Sequence, residues 1–259
     1  PNVVAYICIL KACCRMASLE KGKHIHAKVS GFSLHEKHTI LGTTLVDMYI
    51  KCGMLGKAKE VFDNLPQHDA VSWNSLIAGY ARNGLNDEAF KCFKSMQDEG
   101  LSPDDVTFLC VLNACSHSGL LDEAQLLFKN MTREYGIIPN LEHYTCMIDL
   151  LGRSGFVREA EQFAHSHNCL QCEEILRALL SASKIHGEVE VGERCVQQLL
   201  RLNKNDAVSY LLMEDIYMNA GRYTDASNID ELRITAETSV GAKSPIEVKR
   251  EVHEFIGGA

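Results

Sequence analysis

Two short stretches of this 259-residue chain have residue types that could do chemistry. His186, Gly187 and Glu188 spell H-x-E, one half of a zinc-deaminase signature in which a histidine holds the metal and a glutamate shuttles protons. The other half is a P-C-x-x-C pair, and only Cys195 follows. The stretch therefore reads as structural. Residues 165–172, HSHNCLQC, place His165, His167, Cys169 and Cys172 within eight positions. C-x-x-C is a real metal spacing, but structural zinc sites usually join two separated ligand pairs. No metal, cofactor or catalytic residue is expected from either stretch.

The remaining cysteines point the same way. There are eleven, an odd number, scattered through apolar segments such as ACC at 12–14 and FLCVLNAC at 108–115. They read as small buried hydrophobes in a reducing compartment rather than as a disulfide framework. A chain that is 46% hydrophobic and 23% charged is expected to pack rather than stay disordered. No apolar run approaches the roughly 20 residues of a membrane helix, and no membrane contact is expected. The net charge of −8 is uneven: +3 over residues 1–69, −4 over 70–140 and −7 over 141–259. A polyanion would prefer the N-terminal third, and the acidic C-terminal part suits a surface for another protein.

The elements that must position any site are set by a repeat. GLNDEAF at 84–90 returns as GLLDEAQ at 119–125. Glycine recurs at Gly53, Gly84, Gly119, Gly155, Gly187 and Gly221, and five residues later stands Ala58, Ala89, Ala124, Ala160, Gly192 or Ala226. A further copy opens the chain with Ala17 in the glycine slot and Gly22 in the small slot. Self-similarity at this period predicts stacked helix pairs. Before the glycine, apolar residues follow helical spacing: Trp73, Leu76, Ile77 and Tyr80 in one copy, Tyr144, Met147, Ile148 and Leu151 in another. Glycine ends that helix, acids such as Asp87 and Glu88 open the second, and the small residue lets the two approach. Pro66, Pro103 and Pro139 close several copies. With glycine as the fifteenth residue, the units are 3–38, 39–69, 70–104, 105–140, 141–172, 173–206 and 207–240, with a tail at 241–259. The opening Pro1-Asn2 matches Pro103-Asp104 and Pro139-Asn140, which end units, so the chain is expected to begin at the end of an earlier repeat.

Two families of helical repeat fit. Tetratricopeptide repeats, which bind peptides, hold 34 residues, whereas the unit length here alternates between 31 and 36, and Ile77 stands where their glycine is expected. The alternation and the wording resemble the plant pentatricopeptide repeat proteins of the PLS class. VSWNSLIAGYARNG (71–84) is similar to the P-type unit of that family. VTFLCVLNACSHSGLLDEA (106–124) and ILKACCRMASLEKGKHIHA (9–27) resemble its L-type units. TTLVDMYIKCG (43–53) and LEHYTCMIDLLGRSG (141–155) resemble its S-type units. Residues 178–194 and 207–223 resemble the two E motifs, and 246–255 the segment after them. The resemblance implies an all-α, right-handed α-α superhelix of L (3–38), S (39–69), P (70–104), L (105–140), last S (141–172), E1 (173–206) and E2 (207–240) units.

It also implies a function. Such proteins bind single-stranded RNA, one base per repeat. The fifth residue of a unit and its last residue read a base edge, and an apolar second residue wedges between bases. The implied base-reading residues are Thr43 with Asp69 (guanine), Asn74 with Asp104 (uracil over cytosine), Asn140, paired with Leu109, and Thr145, paired with Cys172. Ile7 and Leu109 cannot hydrogen-bond a base. The implied wedges are Val4, Ile40, Val71 and Val106, with Glu142 in that place in unit 141–172. Asn74 and Asp104 also admit an ordinary capping and turn role. Many relatives with E motifs specify C-to-U editing sites in organelle transcripts. The resemblance thus implies a non-enzymatic specificity factor in mitochondrion or chloroplast. Its E region would dock an editing deaminase or an accessory protein in trans, and it would have no small-molecule substrate. The alternatives are a tetratricopeptide-like protein scaffold and an organellar RNA splicing or stability factor.

Overall fold

In the computed structural model the described residues are 2–31, 38–203 and 206–241, with side chains described up to 236. The tail expected at 241–259, including the segment 246–255, lies outside them except for Gly241. Among the described residues there are fourteen α-helices and no strand. They are α1 (Val3–Arg15), α2 (Leu19–Ser30), α3 (Thr39–Lys51), α4 (Leu55–Asp63), α5 (Ala70–Arg82), α6 (Asn86–Asp98) and α7 (Asp105–Ser118). Then follow α8 (Leu121–Arg133), α9 (Leu141–Arg153), α10 (Val157–Ser166), α11 (Glu173–His186), α12 (Val189–Leu202), α13 (Ala207–Asn219) and α14 (Tyr223–Gly241).

The corners between paired helices have the expected cause. The six repeating glycines all hold positive φ, from 69° to 88°. Such angles cost an L-residue side-chain clash that glycine escapes. Ala17, in the same slot of the first pair, takes φ 47° and bears that cost. The small residues five positions on are buried where neighbouring helices touch. A Cβ built on Gly22 would lie 2.4 Å from Met48 Sδ on α3, so only glycine permits that approach without a shift.

The chain divides into two compact units, residues 1–146 and 147–259. In the first, α1, α3, α5 and α7 pack in succession, while α2 packs on α3, α4 on α5 and α6 on α7. Leu10, Leu41, Leu45, Met48, Phe62, Leu76, Ile77, Met96 and Phe108 are fully buried there. Each such side chain contributes roughly 1.5–3 kcal/mol of burial. Trp73 belongs to this core: it stands edge-on to Phe62 at 4.6 Å and its indole N–H donates to Glu99 (3.2 Å). In the second unit, α11 packs on α10, α12 and α13, and α13 on α14, around Ile175, Leu176, Leu179, Leu180, Val191 and Leu199.

Candidate nucleic-acid interface

The polar residues that end one helix pair begin the next by capping it. Asp69 caps α5: Ser72 N–H donates to Asp69 Oδ1 (2.8 Å), and Asp69 N–H donates to Ser72 Oγ (3.0 Å). Asp104 caps α7 in the same reciprocal way with Thr107, at 2.7 and 3.1 Å. Asn140 repeats the motif before α9. Its Oδ1 accepts from the N–H of His143 (3.3 Å), and its own N–H donates to His143 Nδ1 (3.3 Å). His143 Nε2 then donates to the Asp105 carbonyl (2.9 Å). The capping role considered for Asp104 is therefore real.

Asp104 also reaches across to the preceding helix pair. Asn74, on α5 and only 7% exposed, donates through Nδ2 to Asp104 Oδ1 (2.9 Å). A carboxylate only accepts, so this contact fixes which way the Asn74 amide points. The Thr107 hydroxyl lies 2.6 Å from Asn74 Oδ1 and 2.7 Å from Asp104 Oδ1. Burial pushes the Asp104 carboxyl up, but the hydrogen bonds from Thr107 and Asn74 outweigh it and hold it below the usual range. Asp104 is thus an anion, and all the described bonds to its carboxylate fall on Oδ1.

This pair lines a groove of about 610 Å³ that also includes Val71, Arg82, Val106, Leu109 and His117. Val71 (63% exposed) and Val106 (48%) are the second residues of α5 and α7. Large aliphatic side chains left in water at matching positions are free to contact a ligand. A second groove, about 270 Å³, is lined by Ile40, Thr43, Asp69, Val71 and Lys11. Ile40 is 71% exposed, and Val4 on α1 is 63% exposed. The two expected pairs differ in one respect. Thr43 Oγ1 is buried with no hydrogen-bond partner, so no bond joins it to Asp69.

The other expected site residues are placed singly. Thr145 donates its hydroxyl to the Leu141 carbonyl one turn back (2.8 Å). Glu142 is exposed on α9. In the second unit, Cys172 precedes α11 and its thiol donates to Glu174 (2.7 Å). His186 ends α11, Gly187 caps it with φ 72°, and Glu188 accepts from Arg158 (2.9 Å). Among the described residues, no group of three or more His, Cys, Asp or Glu side chains could hold a metal ion. The sequence reading missed Thr107. A hydroxyl three residues after an acid, opening a helix, is the capping-box signal that would have found it.

Comparison with known protein families places this geometry. The PPR repeat model matches residues 43–69, 106–135 and 142–163, and a second PPR repeat family model matches 68–117. The E motif model matches 186–237. The chain belongs to the pentatricopeptide repeat family. It is 38% identical over its full length to the Arabidopsis thaliana pentatricopeptide repeat-containing protein At1g08070, chloroplastic, and covers 35% of it. It is 37% identical to At5g56310 of the same plant and covers 49% of that protein. The chain thus spans between about a third and a half of these curated relatives. Among solved structures, the maize pentatricopeptide repeat protein PPR10 superposes with a TM-score of 0.70 at 20% identity, covering 92% of this chain and 35% of that one. The pentatricopeptide repeat solenoid is thereby the fold of this chain. PPR10 has also been crystallised in complex with an 18-nt psaJ RNA element.

Proposed function

We propose that the chain binds single-stranded RNA one base per repeat and serves as the specificity factor of an organellar C-to-U editing complex. The observation that carries this reading is the Asn74–Asp104 pair lying in a groove between two exposed aliphatic side chains, Val71 and Val106. Asn74 Nδ2 has a second proton to give, and Asp104 Oδ2 can accept. A donor beside an acceptor complements a base's Watson–Crick edge, which likewise presents both. The flanking valines would sandwich the base, and stacking is worth roughly 1–3 kcal/mol per base. Ile40, Thr43, Asp69 and Val71 would form the neighbouring reader, with Val4 as the wedge before it and Asn140 and Thr145 as further readers. The boundaries of the seven units given above are part of this proposal.

The editing role rests on the E motif, which fits the PLS class, and on the acidic balance of residues 141–259. An acidic face repels phosphate and favours a protein partner. The deaminase would come in trans or on a C-terminal extension, in mitochondrion or chloroplast, and this chain would itself not be an enzyme. Two relatives carry chloroplastic in their names, which supports an organelle without choosing one. The test sequences organellar transcripts from plants that lack the full-length protein and crosslinks that protein to RNA. Loss of editing at a cytidine beside the crosslinked site supports the proposal. Unaltered editing with a mis-spliced or degraded transcript refutes it.

A further inference from the structure

The second unit repeats the polar constellation of Asn74, Asp104 and Thr107 with the hydroxyl kept on a serine and the amide exchanged for a guanidinium. Asn74 is the fifth residue of α5, Asp104 immediately precedes α7, and Thr107 is its third residue. In the second unit the fifth residue of α11 is Arg177, the residue immediately before α13 is Asp206, and the third residue of α13 is Ser209. Here too the aspartate joins the other two. Arg177 Nη2 donates to Asp206 Oδ2 (2.9 Å), and the Ser209 hydroxyl donates to the same oxygen. Arg177 is held from a second side by Glu173, which accepts from Nε (3.0 Å) and Nη2 (2.6 Å).

The exchange changes what the corner can do. Asp104 gives its carboxylate to the N–H of Thr107 and caps α7, whereas the Asp206 side chain makes no cap bond and turns to Arg177 instead. Asp206 is 7% exposed. A base that needed its carboxylate would have to displace Arg177, whose side chain is 33% exposed, from this ion pair. A base edge would offer that carboxylate only a neutral donor in place of the charged one from Arg177. The groove beside Arg177 is about 360 Å³ and is lined by Glu174, Arg153 and Ile185. Glu174 is the second residue of α11, where α5 has Val71. A carboxylate there neither stacks on a base nor tolerates its phosphate.

We propose that Arg177 closes this reading position: its ion pair with Asp206 fills the place that Asn74 and Asp104 leave to a base, so the α11–α12 pair lets one nucleotide pass unread. The inference rests on the RNA reading above and fixes where sequence recognition stops. It makes Arg177 and Glu174 specificity-determining residues of a negative kind, and it predicts that reading can be restored by substitution.

The test selects RNA from a random single-stranded pool with the full-length protein and its variants R177N and E174V/R177N, and compares base profiles. The wild type is expected to show no preference at the position facing the α11–α12 pair, one base beyond that facing unit 141–172. E174V/R177N recreates the Val71, Asn74 and Asp104 set. It is expected to gain about tenfold selectivity for uracil over purines at that position, the scale of one bidentate polar contact, with R177N alone gaining less. A wild-type preference at that position that R177A erases would show Arg177 reading the base and overturn the proposal, whatever the folding of the other variants. A double variant that melts like the wild type and still shows a flat profile there also overturns it. Wild-type selectivity at the upstream positions separates these failures from a failure of the RNA reading, which would appear as a profile flat throughout.

Discussion

Replacing Asp104 by alanine removes two different things at once, and the structure sets the size of each. The first is the helix cap. Thr107 N–H loses its acceptor, and such a loss costs about 1 kcal/mol. The second is the bond across to α5. Asn74 Nδ2 is left without its carboxylate in a site 7% exposed, which costs roughly 1–2 kcal/mol more. The expected loss is therefore about 2–3 kcal/mol. Asp69→Ala is the internal control. Asp69 caps α5 through the same reciprocal bonds with Ser72, but Thr43 makes no bond to it, so only the cap is lost, at about 1 kcal/mol. The two sites share no hydrogen-bond partner, so the costs should be separable. Urea denaturation of both variants against wild type measures the difference. If Asp104→Ala costs no more than Asp69→Ala, the Asn74–Asp104 contact contributes nothing and the preformed pair is wrong.

Three further outcomes follow from the same structure. Asp104 has a carboxyl held below its usual range, so its stabilisation is full above the unfolded pKa near 4 and is lost as pH falls through the lower folded value; the gap between wild type and Asp104→Ala in urea should close only in that acid window. Burial pushes the thiols of Cys115 and Cys195 up to about 12, while Cys8 is exposed. Alkylation at pH 8, mapped by mass spectrometry, should therefore modify Cys8 first and reach Cys115 and Cys195 only on unfolding. Deleting residues 173–259 from the full-length protein should leave RNA affinity within about threefold, under 1 kcal/mol, in a filter-binding titration. The same deletion should abolish editing in vivo. A hundredfold loss of affinity would place RNA on the E region, and retained editing would sink its recruiting role.

The fold was legible because its constraints are local. A positive φ at each corner calls for glycine, and a close helix approach calls for a small residue, so both leave a period in the sequence that needs no knowledge of distant contacts. Ala17 shows the limit: it takes the same left-handed turn with a side chain, and only the spacing marked it. The site was half legible. Asn74, Asp104 and the exposed Val71 and Val106 were named from the family resemblance, and the structure brings them to one groove. Capping by Asp104 is open to the sequence, whereas the partners that complete the boxes, Ser72 and Thr107, emerge only from the structure, although each stands three residues after its acid. Arg177 and Asp206 stand 29 residues apart, and nothing local in either marks an ion pair. That pairing follows only from stacking α11 against α13. Thr43 and Asp69, named from the same resemblance, line one groove with no bond between them, because the Thr43 hydroxyl is buried without a hydrogen-bond partner.

The central claim is that the groove at Asn74 and Asp104 reads one base. Its most direct test is RNA selection with the full-length protein carrying Asn74→Thr and an intact Asp104. A threonine at that position beside aspartate is the Thr43–Asp69 combination, for which guanine is the implied base. The preference at one position should move from pyrimidine to guanine, with every other position unchanged. A profile at that position identical to the wild type, in a variant that still binds RNA, would contradict the account.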